Sequence, residues 1–224
     1  MAIMAESRIA AAKTGMLPTP EVVSEVVRLF REMELPAPVV DPVLRSTSGY
    51  ELMEAEAIEV LLAELMPLAR VITPNVPEAE TLTGLRIENE GGMRAAASRL
   101  REMGARAVLI KGGHLNQGSE VRSQKSEVRS QNAEKAGATL QAIDVLDDGG
   151  RVWVFRGRWI DSPPVRGTGC MLSAAIAACL GLGMDLRGSV DAAKRFVAEA
   201  IRYAPSLGPE SVTLELTEMS TLED

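Results

Sequence analysis

The chemistry in this 224-residue sequence concentrates at Gly167-Thr168-Gly169-Cys170. Two glycines flank a hydroxyl residue, a thiol follows, and an apolar helix-forming run begins at Met171. Glycine lets a ligand approach the backbone closely. The unpaired N–H groups and dipole of a helix start attract anions. The stretch therefore predicts an anion hole with Cys170 at the mouth of a helix, where the thiol pKa should fall. The same residues also suit a plain glycine turn before a buried helix, with an inert cysteine, so the motif needs support from elsewhere. Further polar candidates are Asp41, Thr73-Pro74-Asn75 and Lys111-Gly112-Gly113, each following an apolar run.

The elements around these residues alternate. Short strands are expected within 9–17, at 38–43, at 70–73 and at 107–111. Helices are expected at 20–33, 54–66, 77–83 and 91–104. Valines and Phe30 stripe the first helix, and Ile58, Leu61, Leu62 and Leu65 stripe the second at helical spacing. Such alternation predicts an α/β fold, a mostly parallel central sheet with helices on both faces. In these sheets ligands bind beyond the carboxyl ends of the strands. Asp41, Asn75 and Lys111 all fall at such ends and could meet in one crevice. Further on, 143–146 and 151–155 flank Asp147-Asp148-Gly149-Gly150, a hairpin signal, with 158–160 as a candidate third strand. The run 171–182 reads as a wholly buried helix and 190–203 as the last helix. A seven-residue tandem repeat at 119–132, Ser-Glu-Val-Arg-Ser-Gln in both copies, lies in a polar insert at 115–139. One valine per copy is too little for a coiled-coil seam, so the repeat reads as solvated. The tail at 208–224 carries weak signals.

Composition excludes several classes. The sequence is 46% hydrophobic, enough for a core. Only 3% is aromatic, which removes the stacking platforms of a nucleic-acid binder. The net charge of -7 argues against binding a phosphate backbone. The two cysteines, Cys170 and Cys179, make no disulfide framework and fit a reduced, cytoplasmic setting. No apolar run has the length of a membrane span, and 1–16 lacks the pattern of a secretory leader.

Read together, six stretches give a family resemblance. They are Lys13-Thr14-Gly15-Met16-Leu17, Val40-Asp41-Pro42-Val43 with Ser48-Gly49, and Ile72-Thr73-Pro74-Asn75 with Pro77-Glu78-Ala79-Glu80. Leu109-Ile110-Lys111-Gly112-Gly113-His114, Asp144-Val145-Leu146 and Gly167-Thr168-Gly169-Cys170 complete the set. In this order they resemble the hydroxymethylpyrimidine/phosphomethylpyrimidine kinases of thiamine biosynthesis, members of the ribokinase-like superfamily. The resemblance implies transfer of phosphoryl groups from ATP to 4-amino-5-hydroxymethyl-2-methylpyrimidine and then to its monophosphate, with Mg2+.

The resemblance also implies roles. Cys170 would be the base for the substrate hydroxyl, and Gly167, Thr168 and Gly169 would hold the transferring phosphoryl charge. Asn75 and Lys111, with Thr168, would serve the nucleotide. Glu78 and Asp41 would organise the metal. Met16 and Val43 would line the pyrimidine pocket. Each has a plainer alternative. Glu78 could simply complement a helix dipole, Asp41 could be a turn residue, Lys111 a solvated strand end, and Met16 and Val43 ordinary core. His114 is expected in a turn, and Cys179 in packing.

The sequence also departs from the family. The Lys13–Met16 turn stands at the front, where the family has further strands and a glycine-rich segment. The expectation is a single domain, 1–224, lacking the family's N-terminal strands, with a homo-oligomer or a complementing N-terminal fragment as possible partner. Arg166 stands in place of a usual histidine, Met171 in place of a common threonine, and 208–211 reads Gly-Pro-Glu-Ser. The alternatives are a non-catalytic or split-gene remnant that binds nucleotide and a relative of the pyridoxal kinases. A cysteine hydrolase would need a base beside Cys170, and His114 is the only histidine.

Overall fold

A computed structural model describes residues 8–46, 49–113, 141–160, 165–203 and 212–213. The expectations for His114, the 119–132 repeat and its insert, and nearly all of the tail lie outside the described residues.

Four short parallel strands and one antiparallel hairpin make the sheet. Its order is β1 (Lys13–Thr14), β2 (Val39–Val40), β3 (Val71–Ile72), β4 (Val108–Gly112), β5 (Gln141–Asp147) and β6 (Val152–Arg158). β1 to β4 are parallel, in the register Lys13 to Val39, Val40 to Ile72 and Ile72 to Val108. β5 runs antiparallel to β4, pairing Asp144 with Lys111, and β6 returns antiparallel to β5. β7 (Val165–Arg166) and β8 (Val212–Thr213) form a separate parallel pair.

Strand alternation sorts the apolar residues into two cores. Val40, Ile72, Ile110 and Val145 face one layer of helices. That layer contains α1 (Pro20–Glu32), α2 (Ala55–Val60), α3 (Val76–Thr83) and α4 (Glu90–Glu102). Their neighbours Val39, Val71, Leu109 and Leu146 face α5 (Thr168–Gly181) and α6 (Leu186–Arg202). A strand buried on both sides must be apolar at every position, and the Val-Val, Val-Ile and Val-Leu-Ile runs satisfy this. The expected α/β sheet with helices on both faces is what the chain forms.

Local signals set the ends. Thr19 caps α1 ahead of a proline in its first turn, and Asp185 caps α6 through the N–H of Gly188. That cap starts the last helix four residues before the expected 190. Other expectations need correction. Only Lys13 and Thr14 of the first run pair as strand. The predicted helix at 54–66 passes from α2 into a π-turn at Leu61–Leu65 and a 3-10 turn at Met66–Leu68, because Pro67 has no N–H to continue an α-helix. Trp159 and Ile160 form no third strand; β6 runs on through Gly157 to Arg158, with no turn signal to divide it.

The expected buried helix at 171–182 is the largest correction. α5 starts at Thr168, and one face is open: Cys170, Ala174 and Ala178 are exposed, as is Leu182 just beyond its end. Alanine hides the distinction in sequence, since it is apolar enough for a core and small enough to tolerate water. Leu172, Ile176 and Ala177 carry the buried face.

Leu109 lies on β4 with no exposed surface and packs toward α5 and α6. Leu109→Ala should lower the unfolding free energy by about 3 kcal/mol, the transfer term plus the cavity left behind, read as a lower urea midpoint.

Candidate active site

The carboxyl ends of β2, β3 and β4 bring three polar groups to one place. Asp41 follows β2 and is 2% exposed. Its carboxylate accepts from Lys111 Nζ at 2.8 Å and from Thr73 Oγ1 at 3.2 Å. Ser173 Oγ, one turn into α5, shares its proton between the Cys170 carbonyl at 3.0 Å and the other Asp41 oxygen at 3.3 Å. A single buried carboxylate thus joins β2, β3, β4 and α5. The Lys111 N–H donates to the carbonyl of Pro74 at 2.9 Å, and Asn75 bridges to Lys111 as an isolated parallel pair.

Asn75 and Glu78 open α3 as a reciprocal capping box. The Glu78 N–H donates to Asn75 Oδ1 at 2.9 Å, and the Asn75 N–H donates to Glu78 Oε2 at 2.8 Å. The plain alternative for this pair is therefore realised: the two residues do hold the helix start. Glu78 is nevertheless 6% exposed. Burial pushes its pKa up to about 7, and the charge of Asp41 adds to this, while Lys111 and the N–H groups of Asn75 and Leu44 oppose it.

α5 supplies the other wall. Gly167 caps it in the left-handed region, φ 85°, with no side-chain hydrogen bond at the cap. The first helical turn is Thr168, Gly169 and Cys170, whose N–H groups have no intrahelical acceptor. Gly169 comes close to Lys111: a Cβ built there would stand 3.2 Å from Lys111 Nζ. The strand-end ammonium and the open helix start therefore face each other.

The expected fall in the Cys170 pKa is not found. The residue as a whole is exposed, but its thiol meets Asp41, and the pKa is raised. Burial of the sulfur is the first cause and the Asp41 charge the second, outweighing the opposing charges of Lys13 and Lys111. Helix position alone could not reveal a buried carboxylate beneath the turn.

The remaining predicted residues are placed as follows. Met16 is 54% exposed, which rules out core packing for it, and Val43 is half-buried. Cys179 is half-buried on α5. Among the described residues no three carboxylate, cysteine or histidine side chains group as a metal cage. Magnesium does not require one: it commonly takes one or two carboxylates and fills its shell with water and phosphate oxygens. Asp41 and Glu78, two hard oxygen donors, fit that pattern.

Two contacts were not foreseen. Ser173 sits in an apolar run where nothing marks it as a partner of Asp41. Asp144 Oδ1 accepts the Gly112 N–H at 2.9 Å, and its other oxygen pairs with Lys194 of α6, fixing the backbone beside Lys111. Asp144 had a signal, a carboxylate amid an apolar strand; Lys194 had none.

The chain has clear relatives. A family model described as phosphomethylpyrimidine kinase matches residues 1–215. A thiamine biosynthesis bifunctional protein of Geobacter sulfurreducens is 38% identical over 207 residues, 92% of this chain and 38% of that protein. A hydroxymethylpyrimidine/phosphomethylpyrimidine kinase of Aquifex aeolicus is 35% identical, covering 92% of this chain and 72% of that one. The chain thus spans little more than a third of the bifunctional relative and under three quarters of the single kinase. Among solved structures, phosphomethylpyrimidine kinase from Clostridium difficile superposes with a TM-score of 0.68 at 34% identity, covering 89% of this chain and 72% of its own. An ADP complex of Bacillus subtilis pyridoxal kinase gives 0.72 at 32% identity, over 91% of this chain and 68% of its own.

Glu78 has a consequence for stability. Its folded pKa, about 7, exceeds the ordinary 4.5, so the folded state holds a proton that the unfolded state releases. The stability linked to Glu78 should be full below pH 4.5 and lost as the pH rises to 7. The loss should be roughly 3 kcal/mol, seen as a falling melting temperature. Glu78→Gln, which keeps an acceptor for Asn75, should flatten this slope and melt higher than the parent at pH 8. An unchanged slope would contradict the assignment.

Proposed function

The chain belongs to the phosphomethylpyrimidine kinase family, and from that premise we propose that it transfers the γ-phosphoryl group of ATP to a hydroxymethylpyrimidine and to its monophosphate. The observation that carries the reading is the approach of Gly169 to Lys111 Nζ. It joins a cation, N–H groups without an intrahelical acceptor and a thiol around one space. Phosphoryl transfer asks a protein mainly for positioning and charge stabilisation, and these groups supply both.

In this reading the N–H groups of Thr168, Gly169 and Cys170 meet the oxygens of the transferring phosphoryl, with Gly167 turning the backbone toward them. Lys111 serves the nucleotide phosphates beside Asn75. Glu78 and Asp41 would hold magnesium, which would supply charge neutralisation for the phosphates. Cys170 takes the proton of the substrate hydroxyl. A raised thiol pKa makes the thiolate scarcer at neutral pH but a stronger base. Exposed Met16 and half-buried Val43 border the acceptor space. ATP and the pyrimidine are the partners this site needs.

Pyridoxal stands as a second acceptor, because solved pyridoxal kinases superpose as well as the pyrimidine kinase does. ADP release should therefore be followed with magnesium and ATP against hydroxymethylpyrimidine, its monophosphate, pyridoxal and no acceptor. Pyrimidine-dependent ADP is the expected result; ADP formed with pyridoxal alone would reassign the acceptor. A folded chain that releases none, yet melts higher with ATP, would favour a nucleotide-binding remnant.

Cys170→Ala should abolish acceptor-dependent turnover while the nucleotide-induced rise in melting temperature remains. In the parent, turnover should climb with pH beyond the range of an ordinary thiol. Equal turnover by Cys170→Ala would remove the base assignment.

A further inference from the structure

One cation near the helix start has no part in the site so far. Lys13 pairs with Val39 in the sheet, and Val39 packs in the core shared with α5. Its neighbour Thr14 pairs with Val40 and is buried on the opposite face. Alternation therefore directs Lys13 to the α5 side of β1. The side chain then runs forward along its own strand: a Cβ built on Gly15 would stand 3.3 Å from Lys13 Nζ. Forward is toward the carboxyl ends, where Asp41 and Lys111 lie.

Two further observations single it out. Lys111 is engaged by Asp41, whereas among the described residues Lys13 has no ion pair and no side-chain hydrogen bond. The charge of Lys13 also reaches the Cys170 thiol, which places its ammonium close to the first turn of α5. That turn thus has two lysines near it, Lys111 paired with Asp41 and Lys13 with no ion pair among the described residues, and three N–H groups that lack an intrahelical acceptor.

From this geometry we infer that Lys13 is a phosphate-binding residue of the site, its ammonium meeting an oxygen of a phosphate monoester or transferring phosphoryl group above the start of α5. The inference rests on the kinase reading and deepens it. A charged phosphate suits a point-charge lysine better than a neutral acceptor does. The oxygen could come from the acceptor's own phosphate or from the γ-phosphate of the nucleotide.

Two measurements test it, both on the whole chain. The first needs no turnover. In a Cys179→Ser background, inorganic pyrophosphate should protect Cys170 from iodoacetamide. Lys13→Met should weaken that protection about tenfold, the size of one charge-assisted contact, and Lys13→Arg should keep it within about twofold. Unchanged protection in Lys13→Met, equal loss in Lys13→Arg, or no protection in the parent would each overturn the inference.

The second measurement separates the two phosphates. A higher KM for the monophosphate alone assigns Lys13 to the acceptor's phosphate. A lower kcat with both acceptors assigns it to the transferring group. Unchanged kinetics in Lys13→Met overturn the inference. A parent that shows pyrophosphate protection but no acceptor-dependent ADP would sink the kinase reading and leave Lys13 as a phosphate ligand.

Discussion

A carboxylate taken out of water needs partners, or its burial costs several kcal/mol. Asp41, at 2% exposure, finds them on three other elements: Thr73 after β3, Lys111 on β4 and Ser173 on α5. Removing any one partner leaves the others crowded around an under-satisfied charge. The arrangement therefore fixes the register of three strand ends and the approach of α5 at once.

The same carboxylate sets the electrostatics around it. It raises the Glu78 pKa and the Cys170 pKa, in each case adding to burial. Lys111 opposes both effects. The result is a Glu78 carboxyl and a Cys170 thiol whose charged forms are disfavoured, near a helix start that favours anions. A polyphosphate with its magnesium brings both signs of charge. In the proposed reading the cation would answer Asp41 and Glu78, and the phosphate oxygens would answer Lys111 and the N–H groups of α5.

Much of this was legible in sequence. The paired apolar runs Val39-Val40 and Val71-Ile72 announced strands covered on both faces, and the polar residues after them do come together in the fold. The Gly-Thr-Gly-Cys turn was found, but its thiol was misjudged in direction. Helix position is local and readable; the carboxylate that overrides it sits 129 residues away in the chain and meets it only in the fold. Ser173 was hidden for the same reason. Ala174 and Ala178 misled because alanine is equally at home inside and outside. Asn75 and Glu78 suited both a capping box and a cation site in sequence, and the geometry shows the capping box.

The account stands or falls on where a nucleotide phosphate rests. The most direct measurement is a crystal structure of this chain with magnesium and a non-hydrolysable ATP analogue. The terminal phosphate should lie within hydrogen-bond distance of the Thr168, Gly169 and Cys170 N–H groups, with Lys111 released toward it and magnesium on the Asp41 and Glu78 side. A nucleotide bound away from the start of α5, with the Asp41–Lys111 pair intact and Glu78 only capping α3, would contradict it.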